Sequence, residues 1–254
     1  MQRLLSCVLA LCLCAAVALP ALAQAAPVET EPLVGTVPYP AGSDAATAPF
    51  VLTYRYPQFA GDTPALQAIN AYFGTLAADA PSMAAGAAAA AGELPVAGAP
   101  AYYVALDYRI AYAGTDYLSV LQTASQFLGV SETERWSADV FALDGVYAGQ
   151  PVTLTQALGL EQQNADAAQA SFAADLLYRL VWEIIQQEAA MQTRAYFPDA
   201  TEADLRAAFD PEQDFYLDGD GNFVFFVQPG VVAPELEGVL SYPFSLAELL
   251  SAAR

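Results

Sequence analysis

Residues 215–227 read FYLDGDGNFVFFV: two runs of aromatic and β-branched side chains around Asp218-Gly219-Asp220-Gly221-Asn222. Asp-Gly pairs supply the turn chemistry that reverses a chain between paired strands, so Phe215–Leu217 and Phe223–Val227 form a hairpin. Upstream, the same strand chemistry recurs in Tyr102 to Ala113, Tyr117 to Phe127 and Ser137 to Leu143, a spacing that suits an antiparallel meander. An earlier strand, Phe50 to Tyr56, ends at Pro57. Between the strand clusters lie helical patterns. Asp62 or Thr63 can cap a helix with Pro64 in its first turn, and Leu66, Ile69, Tyr72, Phe73 and Leu76 give it one apolar face over about four turns. Residues 165–195 carry the longest stripe, with Phe172, Leu176, Leu177, Leu180, Val181, Ile184, Ile185 and Met191, which predicts the main core helix. Shorter helices are expected from Thr153 or Thr155 to Leu158, from Thr201 to Phe209 and from Ser245 to Ala253. In the last two, Thr201 with Asp204 and Ser245 with Glu248 match the capping-box spacing. Strands cluster rather than alternate with helices. The fold class is therefore α+β, antiparallel sheet with helices packed on one side and one long core helix.

Two stretches lack a period. The Ala/Gly tract from Met83 to Gly92 has helical propensity but no polar face to orient it, and residues 81–100 read as a variable loop with at most a helical turn. Residues 24–49, rich in Pro, Ala, Thr and Gly, read as a flexible leader, so that the folded domain spans 50–254.

At the N-terminus, Arg3 precedes an apolar run ending near Leu19, followed by Pro20 and Ala21-Leu22-Ala23. This pattern predicts a secretory signal peptide over 1–23, cleaved near Ala23. Its apolar length of roughly 16 residues falls short of the ~20 that span a bilayer. A leucine before both Cys12 and Cys14 argues against lipidation. No later stretch is apolar enough to cross a membrane, so the mature chain is expected to be secreted or held at the cell envelope.

The 254 residues carry 8 Lys+Arg against 28 Asp+Glu, a formal charge of −20, with no His. Every basic residue is arginine. Removal of the signal segment would take away Arg3 and no acid, moving −20 to −21, and would remove Cys7, Cys12 and Cys14, the only cysteines. Such an acidic chain is no nucleic-acid binder, and its 56% hydrophobic content supplies a core. The residue inventory excludes a Ser-His-Asp triad, a Ser-Lys dyad, His/Cys zinc sites and Lys-dependent phosphate loops. Carboxylates remain. Glu183, beside Trp182 in the long helix, is the most suggestive acid, although a surface ion pair with Arg179 one turn earlier is the better reading. The acidic loop at 218–222 alternates oxygen ligands as calcium loops do, but Phe223 stands where an EF-hand needs Gly and Pro229 where it needs Glu, so a plain turn is the better reading. Ser131 to Arg135 reads as a solvated inter-strand loop. No catalytic, cofactor-binding or metal-binding residue is assigned.

Taken in order, "YRYPQFAG" with "ALQAINAYF", "YLSVLQTASQF", "FALDGVYAGQPVTLTQALG" and "FYLDGDGNFVFFVQPGVVAPELEGVLSYPFSLAELL" resemble the extracytoplasmic domain of RsiV-type anti-sigma factors, found also beside some peptidoglycan deacetylase domains. The resemblance covers roughly residues 50–250. In the last segment Phe215, Asp218, Phe223, Phe225, Pro229, Ala233, Pro234, Gly238, Tyr242 and Leu249 follow the family's order. One departure is that "SQFLGVSETERWSADVF" lacks the family's Gly-Gly-Ala-His-like turn, so no function resting on that turn is implied. The resemblance implies a non-enzymatic sensor-like binding module and, since the RsiV domain recognises lysozyme, a basic extracellular protein as partner. A carboxylate-based enzyme acting on cell-wall glycans and a passive structural envelope domain are the alternatives.

Overall fold

The computed structural model describes residues 26–96, 99–160 and 167–252. The signal segment 1–23, with its three cysteines, lies outside the described residues, as do residues 24–25 of the expected leader. The chain runs β1 (Val28–Glu29), β2 (Leu33–Tyr39), β3 (Phe50–Tyr56), β4 (Phe59–Ala60), α1 (Pro64–Ala91), β5 (Tyr102–Ala113), β6 (Tyr117–Phe127), β7 (Glu132–Ala142), α2 (Leu154–Ala157), α3 (Ala167–Met191), α4 (Glu202–Ala208), β8 (Phe215–Leu217), β9 (Phe223–Val227), β10 (Leu240–Phe244) and α5 (Leu246–Ala252). This is the expected α+β class. A five-stranded sheet has the order β2-β3-β5-β6-β7, a three-stranded sheet the order β10-β9-β8, and β1 pairs with β4. All pairings are antiparallel except β3 with β5, which α1 connects as a crossover.

Alternation along the strands builds the layers. Leu118 and Val120 of β6, with Phe141 of β7, pack against Leu66, Ile69 and Phe73 of α1. On the opposite face, Leu121 meets Tyr216, Val224 and Phe226 of the small sheet, with Trp136 beside them. The far face of the small sheet, through Phe215, Phe223 and Phe225, packs on Leu177, Val181 and Ile185 of α3 and Leu205 of α4. Each sheet thus carries helices on one face and turns part of the other toward its neighbour sheet.

Three expectations are corrected, and one strand has no counterpart among them. The leader at 24–49 contains β2, an edge strand paired with β3 from Leu33↔Tyr56 to Tyr39↔Phe50. Gly35 lies so close under the Tyr54 ring that a Cβ there would come within 2.4 Å of it, which leaves this strand little apolar signal of its own. The loop at 81–100 is, through Ala91, the C-terminal part of a 28-residue helix that continues past Pro81. Its orientation comes from the sheet. Ala80, Ala84 and Ala88 recur every four residues and are fully buried with Phe50, Leu52 and Val104, small side chains allowing close approach where a polar face is not needed. The stretch 131–135 belongs to β7 from Glu132 on, since Phe127 pairs with Glu132 and Ser125 with Glu134; neither face is buried there, so apolar alternation is missing. Finally, β10 escapes the strand reading because of Pro243, which an edge strand tolerates when its missing N–H faces solvent.

The remaining helices follow their caps. Thr63, Thr153 and Thr201 each accept a bond from a backbone N–H of the first turn, and the last two complete capping boxes with Gln156 and Asp204. Ser245 and Glu248 exchange the same bonds at α5. α3 matches its stripe in Leu177, Val181 and Ile185, whereas Met191 is exposed and the Phe172 side chain lies outside the described residues. α1 rather than α3 is the longest helix.

The buried alanine row makes a specific prediction. Ala84→Leu should destabilise the fold by about 1–3 kcal/mol through overpacking between α1 and β3, whereas Ala85→Leu, one position round the helix and only half-buried, should cost distinctly less; equal urea midpoints for the two variants would contradict this packing.

Candidate functional site

The 218–222 loop is a structural turn. Both Asp218 oxygens are spent within it: Oδ1 accepts from the backbone N–H groups of Asp220 and Asn222 at 2.9 Å, and Oδ2 from the Asn222 side chain at 3.0 Å. Burial acts to raise the Asp218 carboxyl, but the Asn222 amide and the surrounding backbone N–H groups outweigh it and hold the carboxyl below its usual range. Among the described residues no group of three or more acidic ligands could hold a metal ion. Glu183 is exposed on α3, and the ion pairs of the described residues do not join it to Arg179, whose Nε donates to the Asp175 carbonyl at 3.4 Å.

The carboxylate that burial perturbs most clearly is Asp139, which sequence reasoning passed over. It sits in β7 on the α1 face, where the alternation of Phe141 and Leu143 calls for an apolar residue. Tyr72 of α1 donates its hydroxyl to Asp139 at 3.1 Å, and Gln122 of β6 donates Nε2 at 2.8 Å. Burial pushes the Asp139 carboxyl up to about 6 despite these two bonds. The same burial, with Asp139 next to it, raises the Tyr72 hydroxyl. Spacing alone carries no mark of this trio, because Tyr72 reads as one more apolar helix position. Its effect is to tie α1 to the sheet.

The loops at one end of the sheets form a different arrangement. The β5–β6 turn at 114–116, the loop 143–150 and the β8–β9 turn come together there: the Leu143 N–H donates to the Asp116 carbonyl at 2.8 Å, and the Leu217 N–H donates to Ser119 Oγ at 3.1 Å. Gly149, with φ +81°, allows the loop 143–150 to lie directly on α1, since a Cβ there would stand 2.6 Å from Ala68 and 2.9 Å from the Ala65 carbonyl oxygen. Asp116, Asp144 and Asp220 are exposed on these loops, Asp218 is half-buried in its turn, and no arginine occurs in any of the three. Asp116 and Asp144 both act on Tyr117, whose hydroxyl is raised first by burial and then by these two charges. Tyr117, Asp144 and Tyr147 line an adjoining cleft of about 290 Å3, and Val146 at its rim is 77% exposed. An acidic rim over aromatic side chains offers a guanidinium or ammonium group both charge pairing and ring contact.

No protein-family model matches this chain, and no curated protein matches it. Solved structures of similar outline are a member of the DUF3298 family from Bacteroides fragilis, 14% identical, covering 90% of this chain and 99% of its own with a TM-score of 0.43, and a DUF3298 family protein from Pseudomonas aeruginosa, 13% identical, covering 89% and 94% with the same TM-score. No helix among the described residues is long and apolar enough to cross a membrane.

The Asp139 trio predicts a pH signature. The folded state holds the proton up to about pH 6, whereas the unfolded chain releases it near 3.8. This group's contribution is therefore complete below about pH 4 and is lost as pH rises through 6, by on the order of 2 kcal/mol given partial solvent access. Asp139→Asn cannot ionise, so its melting temperature should rise relative to wild type between about pH 4 and pH 7.5, by several degrees; a difference that stays constant across that range would show that Asp139 is not strained by burial.

Proposed function

We propose that the protein is a non-enzymatic binding module that works outside the cytoplasm, after loss of residues 1–23, and that its acidic loop end takes a basic protein such as lysozyme. The observation that carries this reading is that Asp116 and Asp144, exposed on two loops that contain no arginine and are joined by the Leu143–Asp116 bond, stand together beside Tyr117. The basic residues lie elsewhere and several are already matched: Arg55 with Asp107, Arg194 with Glu188, and Arg206 with Asp175 and Glu202. The net charge of −20 steers a basic partner toward the surface and favours fast association. The RsiV-like order of segments and the exposed Val146 beside two tyrosines support the same reading, the latter as an apolar contact inside a charged rim.

Surface-immobilised protein should bind hen lysozyme at micromolar concentration, with affinity falling about tenfold between roughly 20 and 150 mM NaCl. The double variant Asp116→Asn, Asp144→Asn should lower the association rate about three- to tenfold, while Glu183→Gln, on the exposed face of α3, should leave it unchanged. Absence of a salt-sensitive complex, or equal loss in both variants, would remove this assignment.

A further inference from the structure

At the C-terminal end of α3 a cleft of about 810 Å3 opens to solvent, within the roughly 300–1,000 Å3 typical of ligand sites. Trp182 and Gln186, one helical turn apart on α3, form one side, and the segment after the helix brings Gln192, Arg194, Tyr196 and Phe197 to the other. Trp182 is half-buried and Phe197 is 37% exposed. No hydrogen bond within the described residues engages the side-chain amides of Gln186 and Gln192 or the indole N–H of Trp182. Beside them Arg194 Nη1 is buried without a hydrogen-bond partner among the described residues, 3.5 Å from the Glu188 carboxylate to which the Tyr196 hydroxyl donates.

Gln192 adds an independent observation. α3 ends in a Schellman motif, with the Thr193 N–H on the Glu188 carbonyl at 3.1 Å and the Gln192 N–H on that of Ala189 at 3.2 Å. Gln192 therefore occupies the left-handed position, φ 55°, that glycine normally takes, and it is the non-glycine residue with positive φ among those described. A side chain kept where the backbone disfavours one, and lining a cleft, points to a use for that side chain.

The chemistry of the lining selects a class of ligand. An anion meets a chain of charge −20, Glu237 in the cleft itself and the Glu188 carboxylate that stands beside Arg194. A wholly apolar ligand would strand two amides. A pyranose ring has an apolar C–H face suited to aromatic rings and neighbouring hydroxyls that pair with the adjacent donor and acceptor of a primary amide. We propose that this cleft binds a neutral oligosaccharide, its ring faces against Trp182 and Phe197 and its hydroxyls on the Gln186 and Gln192 amides. The site is separate from the acidic loop end and does not depend on the reading proposed for it.

The two tryptophans allow a direct test on the intact protein by 1H–15N NMR, because the Trp136 indole N–H is held by Glu134 at 2.8 Å and serves as an internal control. Cellotriose or chitotriose, raised to about 10 mM so that millimolar affinity is detected, should shift the Trp182 indole signal and leave that of Trp136 in place. Gln192→Gly should raise Tm by a few degrees while weakening the sugar roughly five- to tenfold, a combination that a purely structural role would not produce. The proposal fails if neither sugar moves the Trp182 signal, if trialanine moves it equally, or if Gln192→Gly binds as wild type does.

Discussion

Strand β6 is the constraint on which the rest of the structure depends. Its successive residues face opposite ways, so Leu118 and Val120 complete the core beneath α1 while Ser119 and Leu121 look toward the small sheet. Ser119 is completely buried, and an unsatisfied hydroxyl there would cost a desolvation penalty of about 1–3 kcal/mol. The Leu217 N–H donates to it. One hydrogen bond thus sets the small sheet against the large one, and the aromatic contacts of Trp136 with Tyr216 and Phe226 extend the same junction. A one-residue slip of β6 would exchange its two faces and lose both cores at once.

The edge of β7 shows how this sheet ends without inviting a further strand. Gln228 acts as a one-residue substitute for a neighbour, accepting from the Trp136 N–H at 3.2 Å and donating to the Trp136 carbonyl at 2.6 Å. Further along, the Val152 N–H takes the Val140 carbonyl. The remaining stretch carries Glu132, Glu134 and Arg135, charges that discourage edge-to-edge pairing. The same design puts the polar groups of the protein at its margins: carboxylates on the loop end and amides at the end of α3.

Much of the fold was legible because its signals are local. Asp-Gly turn chemistry marked the β8–β9 hairpin, capping pairs marked α4 and α5, and the aromatic runs of β5 and β6 matched their expected limits. What was missed shares a cause. β2, the alanine-rich part of α1, the first part of β7 and β10 draw their structure from a partner rather than from their own period: Tyr54 over Gly35, the sheet under Ala80, Ala84 and Ala88, the β6 ladder beside Glu132, and β9 beside Pro243. The candidate sites were less legible still. Asp139 occupies a position that alternation reserves for an apolar residue, and Gln192 one that helix ends reserve for glycine, so each stands out only once its backbone setting is known.

By itself, the sequence determined the charge, the absence of histidine and lysine, the α+β class and most element types, since these follow from side-chain chemistry and from contacts a few residues apart. Only the tertiary structure decided which acids are buried, which converge on one end and which side chains frame a cleft. Those properties depend on residues such as Tyr72 and Asp139, or Asp116 and Asp144, that lie far apart along the chain and meet only because the strands between them pair in one register.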